Sequence, residues 1–424
     1  MSNLKNYRYD ATSCIRCSNC KWIDPVYTRS AQYVKICPSS ARYNFDAYSG
    51  QGRLNIAVAV MDGELDYTPT LLDAIYKCTM GGACDTMCKR NLELEVLKVL
   101  EELRAEAYRR GKTLPQHDSM VASIKNKDNP WGVARENKFK WLEEVDVRDI
   151  SKDGADVLFF SGCASQDERV RHVSGNSIEL LKRARVNVGV LGEKEKCCGF
   201  FAYQVGDRQV SVDLIKENIE TFNSLRISTL VTSCGACFNA FLTIYPAFGQ
   251  MNFKVLHISQ FLEQLLLEGK LKFSKNLDMI VTYHDPCYLG RLGEPYIHWE
   301  GTRGNFGRLD PPKEFRRGTY GVYEPPRNVL KGIPGLHVVE MERMKENSWC
   351  CGAGGGVQTA YPDFAVWSAR ERLREMKETG ADTLVTCCPH CETNFMDTVD
   401  QYRENIKVYD LVGLAIQAIA KRRK

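Results

Sequence analysis

One arrangement of cysteines occurs twice in this chain. Cys163, then Cys197-Cys198-Gly199, then Cys234-x-x-Cys237 returns as Cys287, then Cys350-Cys351-Gly352, then Cys388-x-x-Cys391. The flanks return with it. Thr229-Leu230-Val231-Thr232-Ser233 matches Thr383-Leu384-Val385-Thr386-Cys387, and Val255-Leu256-His257 matches Val408-Tyr409-Asp410. Such a repeat is two copies of one module, expected over 156–270 and 271–424, with an insertion over 294–319 in the second copy. Short apolar runs alternate with helix-length segments: Val157–Phe160, Val188–Leu191 and Leu230-Val231 in one copy, Met279–Val281, Val338-Val339 and Leu384-Val385 in the other. That alternation predicts an α/β module on a mainly parallel sheet. It places Cys163, Cys234 and Cys287 at or just past C-terminal strand ends, where open parallel sheets bind their ligands.

Residues 1–110 read differently, as helix-compatible segments carrying seven cysteines. They are expected to close with an amphipathic helix over Asn91–Arg110, with Leu92, Val96, Val99, Leu100 and Leu103 on one side. Between the two regions, 111–155 contains Pro115, Pro130 and the polar run Lys125–Asn129, which suggests a linker and then a short docking helix around Phe139–Glu144. The fold class expected is therefore α+β overall, a mainly helical first domain followed by a duplicated α/β domain.

No apolar run reaches the roughly 18 residues that span a bilayer; the best candidate, Leu411–Ala420, has ten. Met1–Tyr7 holds no apolar stretch of the signal-peptide kind. A cytoplasmic chain is expected, meeting a membrane only through partner subunits. In that reducing setting, 18 cysteines in 424 residues point to metal or redox chemistry rather than to disulfides. The net charge of +4 is spread along the chain apart from the Lys421–Lys424 tail, so no basic stripe for nucleic acid is present.

The first-domain spacing names the metal chemistry. Cys14, Cys17 and Cys20 form C-x2-C-x2-C, Cys37 precedes Pro38, and Cys78, Cys84 and Cys88 follow. Three closely spaced thiolates wrap three corners of an iron–sulfur cubane, and in two-cluster ferredoxins the distant fourth cysteine serves the other cluster. The crossed sets are then Cys14, Cys17, Cys20 and Cys88 for one cluster, and Cys37, Cys78 and Cys84 for the other. The second set is one thiolate short, because Gly81 stands where a cysteine is expected. It would hold a three-iron cluster, or a four-iron cluster with a non-cysteine corner. Asp85 is a nearby oxygen donor, although a surface Asp is the plainer reading, and Gly81→Cys is expected to complete a four-thiolate cubane of lower potential. Structural zinc competes for C-x2-C pairs, but a third cysteine and a Cys-Pro are ferredoxin grammar. In the repeats, adjacent cysteines suit neighbouring irons of one cluster better than one zinc, and five thiolates exceed what a simple cubane takes.

The paired Cys-Cys-Gly modules behind a two-cluster ferredoxin domain resemble the CCG-domain catalytic subunits of heterodisulfide reductases, of the D type (HdrD-like), over nearly the whole chain. That family includes the corresponding component of class II benzoyl-CoA reductase complexes. The resemblance implies one non-cubane [4Fe-4S] cluster per module, held by Cys163, Cys197, Cys198, Cys234 and Cys237 and by Cys287, Cys350, Cys351, Cys388 and Cys391. It implies either an electron relay within a larger complex or reductive cleavage of a small disulfide between the two clusters. Since the chain shows no flavin or nicotinamide fingerprint, other redox subunits, flavin or iron–sulfur, are the expected partners.

Several residues fall outside this scheme. Cys387 aligns with Ser233 and reads as structural, and Gly352–Gly356 reads as close backbone approach to a cluster rather than a nucleotide loop. No residue is assigned catalysis, and proton delivery falls to His284 or His390, with His298 also near the repeats. The insertion, with Trp299, Arg303, Phe306, Arg308, Arg316 and Arg317, is expected to cover the cleft between modules or to dock a partner.

Overall fold

The computed structural model describes residues 3–305 and 308–420; Phe306 and the Lys421–Lys424 tail lie outside the described residues. The first module is a parallel sheet of β1 (Arg148–Asp149), β2 (Val157–Phe160), β3 (Val188–Val190), β4 (Thr229–Thr232) and β5 (Lys254–His257), ordered β1-β3-β2-β4-β5. The second module contributes β6 (Met279–Tyr283), then the antiparallel pair β7 (Thr302–Arg303) and β8 (Leu309–Asp310) from the insertion, then β9 (Leu336–Val339), β10 (Thr383–Thr386) and β11 (Lys407–Asp410). Its sheet is also parallel and is ordered β11-β10-β6-β9. The order β3-β2-β4-β5 in one module and β9-β6-β10-β11 in the other is a single topology, as the repeat requires. The four residues of β2 and of β10 are all buried, because helices cover both faces of a parallel sheet and continuous apolar runs replace alternation.

The modules pack about a pseudo-twofold axis. Helix Arg171–Arg183, which follows β2, lies on Leu411–Gln417, which follows β11; helix Ile258–Leu267, after β5, lies on Glu324–Lys331, after β6. Exchanging the modules exchanges the two contacts, which is the self-complementary geometry of a twofold dimer made within one chain. Ile178, Leu181, Leu262, Leu265, Leu330 and Leu414 fill the shared core. Equivalent residues start equivalent helices. His257 Nδ1 accepts from Ser259 N at 3.2 Å after β5, and Asp410 Oδ1 accepts from Val412 N at 3.0 Å after β11, so an aligned His and Asp perform the same capping task.

The first domain is helical, with helices Gly50–Met61, Pro69–Tyr76, Ala83–Asn91 and Val96–Arg109. The last begins later than Asn91, the start its periodicity suggests, because the chain breaks at Leu92–Glu95. There Asp10 Oδ1 accepts from Glu95 N (2.8 Å) and Asp85 Oδ1 from Leu97 N (3.0 Å), so buried carboxylates satisfy the amides of the new helix start.

Arg104, on this helix, is fully buried. It donates to the carbonyls of Ile75, Tyr76 and Cys78 in its own domain, to Gln204 O of the first module and to Gly355 O of the second. The insertion is a second tie. Arg303 pairs with Glu93 and lies 3.7 Å over the Tyr9 ring, Lys313 meets Glu95 at 2.8 Å, and Arg317 Nε donates to Lys89 O at 3.2 Å. Among the described residues these contacts seat the insertion on the first domain, with Arg303 and Arg317 engaged within the chain. The cause is the acidic set Asp85, Glu93 and Glu95 on the first domain, which draws these cations down.

Removing the Arg104 side chain strands buried carbonyls from three parts of the fold at once. Arg104→Met is expected to lower stability by about 3 kcal/mol or more, read as a shift of the denaturant midpoint, whereas Arg109→Met on the exposed side of the same helix should stay within about 0.5 kcal/mol.

Candidate metal centres

The strand ends assemble each repeat's sulfurs. After β2 the chain turns through Gly162 at φ +68°, where a Cβ would stand 3.2 Å from Cys237 Sγ. Glu195 holds that turn by accepting from Ser161 N (3.0 Å) and Gly162 N (2.8 Å). In the second module the acid moves to the other side of the same junction: Asp285, just before Cys287, accepts from Lys345 N (2.8 Å) and from both terminal nitrogens of Arg327 (2.7 and 3.0 Å). In both Cys-Cys-Gly motifs the glycine amide donates to the first sulfur, Gly199 N to Cys197 and Gly352 N to Cys350, each at 3.4 Å. These glycines lie at φ +76° and +100°, and a Cβ on Gly352 would meet Ala365 O at 2.4 Å, so no other residue fits there.

All ten repeat cysteines are buried and none is in a disulfide. Their sulfurs make one continuous run. Cys163 pairs with Cys197, Cys197 with Cys198, Cys198 with Cys237 at 3.4 Å, and Cys237 with Cys234. Cys287 pairs with Cys350, Cys350 with Cys351, Cys351 with Cys391, and Cys391 with Cys388. Cys234 and Cys388 meet and join the two sets. Thiol hydrogen bonds hold Cys197, Cys350 and Cys388 well below the ordinary thiol range, while hydrogen bonds to those thiolates and burial push Cys163 and Cys287 well above it. Each pocket thus gathers five buried cysteine sulfurs, the donor type that soft metals and iron–sulfur clusters take.

Of the two expected first-domain groups, Cys88 lies near Cys17 and Cys20, and Cys37, Cys78 and Cys84 neighbour one another, while Cys20 neighbours Cys37 of the other group as well as Cys14 of its own. The groups approach at Gly50, where a Cβ would stand 3.0 Å from the Cβ atoms of both Cys20 and Cys84. Backbone amides point at sulfur, Gln51 N to Cys20 at 3.4 Å and Ser40 N to Cys37 at 3.5 Å. Cys17 alone among the cysteines is exposed, and Cys14 is half-buried. Asp85 is neither a surface residue nor free to ligate. It is buried, its Oδ2 accepts from Lys89 Nζ at 2.6 Å, and its Oδ1 caps the next helix.

The histidines separate. His284 is buried, with an imidazole nitrogen within 4.8 Å of the Cys351 and Cys391 sulfurs. Its Nδ1 accepts from Arg372 Nε at 3.3 Å, and burial, reinforced by Arg372, pushes it down to about 3; it is neutral and carries its proton on Nε2. His390 packs against Phe201 and Trp131 and has no partner for its Nε2 among the described residues. It faces a small, mostly apolar cavity with Cys287, Cys351, Cys388 and Tyr288. His298 is exposed in the insertion. Cys387 stays outside the run of sulfurs, beside Tyr283. Gly354 and Gly355 approach the Cys78-Thr79 backbone rather than a cluster: a Cβ on Gly355 would stand 2.4 Å from Cys78 O and one on Gly354 2.6 Å from Thr79 O.

Comparison with known proteins agrees with this geometry. A family described as a 4Fe-4S dicluster domain matches residues 10–92, and one described as a cysteine-rich domain matches twice, over 157–242 and 314–396. The second match begins inside the insertion and omits β6 and Cys287, which the topology restores as counterparts of β2 and Cys163. The D component of dihydromethanophenazine:CoB–CoM heterodisulfide reductase from Methanosarcina acetivorans is 31% identical over 96% of this chain and 93% of its own length. The same component from Methanosarcina mazei is 30% identical over 97% and 95%. The EtfAB:quinone oxidoreductase of Syntrophomonas wolfei is 29% identical over 97% of this chain and 58% of its own length. The cysteine sets are those of an iron–sulfur protein.

The adjacent pair Cys387-Cys388 allows a sharp test. Cys387→Ala should retain the iron and acid-labile sulfide of the wild type, whereas Cys388→Ala should lose about one cluster's share of both, read by colorimetric analysis of anaerobically purified protein.

Proposed function

Because the chain belongs to the HdrD-like family of heterodisulfide reductase components, we propose that it is the iron–sulfur electron-transfer member of a multi-subunit oxidoreductase complex. It relays electrons between two ferredoxin-type clusters and two non-cubane [4Fe-4S] clusters. The first pair would be held by Cys14, Cys17, Cys20 and Cys88 and by Cys37, Cys78 and Cys84, the second pair by the five cysteines of each module. When bound, such clusters store and pass single electrons at potentials set by charge, hydrogen bonds and exposure.

The observation that carries this reading is the unbroken run of sulfurs from Cys163 to Cys287, which brings the two module sites into contact at Cys234 and Cys388. The protein's own residues do the remaining work. Phe160, Phe200, Tyr245 and Trp349 keep the sites dry, and the glycine amides and the side chains of Asn218 and Asn394, which donate to Cys197 O and Cys351 O at 2.9 and 2.7 Å, fix the ligand backbone. The Cys14–Cys20 loop presents its cluster edge to a redox partner, a flavin or iron–sulfur protein. Among the described residues no helix is long and apolar enough to cross a membrane, and on this reading exchange with a membrane runs through another subunit.

A second reading, reductive cleavage of a small thiol disulfide in two one-electron steps, is favoured by the approach of the two sulfur sets to each other at Cys234 and Cys388. Two electrons from the donor protein and two protons would convert the disulfide to two thiols, with His390 placed to hold a proton beside Cys388 and Cys391. Anaerobically purified protein is expected to carry about fourteen to sixteen irons and to reduce small disulfides from reduced viologen only weakly without its partners. Zinc as the major metal, or fewer than about eight irons after reconstitution, would sink both readings, and rapid partner-free disulfide reduction would replace the first with the second.

A further inference from the structure

The Thr79-Met80-Gly81 turn belongs by sequence to the first domain's cysteine motif, between Cys78 and Cys84, but its contacts run to the second module. Thr79 O accepts from Tyr288 Oη at 3.1 Å and Gly81 O from Arg291 Nε at 2.7 Å. The Thr79 hydroxyl lies against Cys350, and Met80 packs under Gly355, whose missing Cβ would stand 3.0 Å from it. At Gly81 the three atoms nearest to where a Cβ would stand are Cys350 Sγ at 3.4 Å, Cys287 Sγ at 3.5 Å and Thr79 Oγ1 at 3.5 Å. Conformation does not explain the glycine, since the left-handed φ of +71° falls on Gly82 and not on Gly81. What position 81 provides is room next to two sulfurs of the second module.

We infer that Gly81 is a close-approach residue of the second module's metal centre, and not a vacated ligand corner of the Cys37, Cys78, Cys84 set. A side chain at 81 would enter the space between the Cys287 and Cys350 sulfurs, so the three-thiolate set gains no ligand from this position. The Thr79–Gly81 backbone and the Thr79 hydroxyl wall the second centre, just as Lys138 of the connecting segment approaches the first, where it donates to Glu195 O. The assignment rests on the proposed iron–sulfur reading for its spectroscopic consequence, though not for its geometry.

Two substitutions in the full-length chain, purified anaerobically, test it. Gly81→Ala adds one methyl group at ordinary contact distance. It should retain iron content while shifting the g-values and midpoint potential of the second-module signal, identified as the signal lost in Cys351→Ala, and should leave the other signals unmoved. An unchanged second-module signal, or a change confined to the Cys37, Cys78, Cys84 cluster, overturns the assignment. Gly81→Cys is the second arm. On oxidation with ferricyanide, which dismantles iron–sulfur clusters and frees their cysteines, peptide mapping by mass spectrometry should find the new thiol joined to Cys350 or Cys287, both within disulfide reach. Linkage to Cys37, Cys78 or Cys84, or no linkage at all, overturns it. If wild-type protein shows no iron–sulfur signal, the relay reading fails by itself and the mapping still decides position 81.

Discussion

Burying a thiolate costs several kcal/mol unless a cation or hydrogen bonds compensate it, and this chain buries sixteen of its eighteen cysteines. Ten of those form the continuous run across the two modules. Much of the local structure can be understood as the means of bringing sulfurs together and compensating them. Parallel strands end side by side, so Cys163 and Cys234 leave neighbouring strands of one sheet, and Cys287 and Cys388 do the same in the other. Positive-φ glycines turn an amide onto Cys197 and onto Cys350. The buried cations Lys138, Arg291 and Arg372 stand around the two sets, and Arg291 donates to two carbonyls, Gly81 O and Glu346 O, leaving its charge available to Cys287.

The duplication preserves geometry more strictly than chemistry. The turn before the lone cysteine needs a buried acid in both copies, but the acid comes from the Cys-Cys-Gly segment in one (Glu195) and from the turn itself in the other (Asp285). The helix after the last strand needs a cap, supplied by His257 in one copy and Asp410 in the other. Such exchanges leave the pseudo-twofold intact while giving the two sulfur sets different surroundings. The Gly81 turn of the first domain stands against the second set, and that set's histidine, His284, aligns with Phe160 in the first copy.

The repeat, its parallel strands and the ferredoxin grammar are legible because they depend on short-range spacing: period, strand-end cysteines, C-x2-C-x2-C. What is illegible depends on pairings hundreds of residues apart. Nothing near Arg303 in sequence announces Glu93, so an insertion rich in Arg and aromatics looks like a docking loop until its partner on the first domain is seen. Asp85 looks like a surface residue because Lys89, its neighbour one helical turn on, gives no sign of being buried with it. The Gly352–Gly356 run is legible as a site of close backbone approach. What Gly354 and Gly355 approach, the Cys78-Thr79 carbonyls, lies more than 270 residues away in the chain.

Those long-range ties have a common direction, which bears on how a relay protein can work. Arg104, the glycine run and the insertion all fasten the first domain, and they converge on the segment from Ile75 to Glu95 that carries Cys78, Cys84 and Cys88. The Cys14–Cys20 loop of the same domain is left open, with Cys17 and Ile15 exposed. Electron transfer inside a protein requires fixed, short separations between centres, whereas exchange with a partner requires an accessible edge. The chain meets both demands by concentrating its buried hydrogen bonds and ion pairs on the inner face of the first domain, so that the rigid side looks toward the modules and the accessible side looks outward.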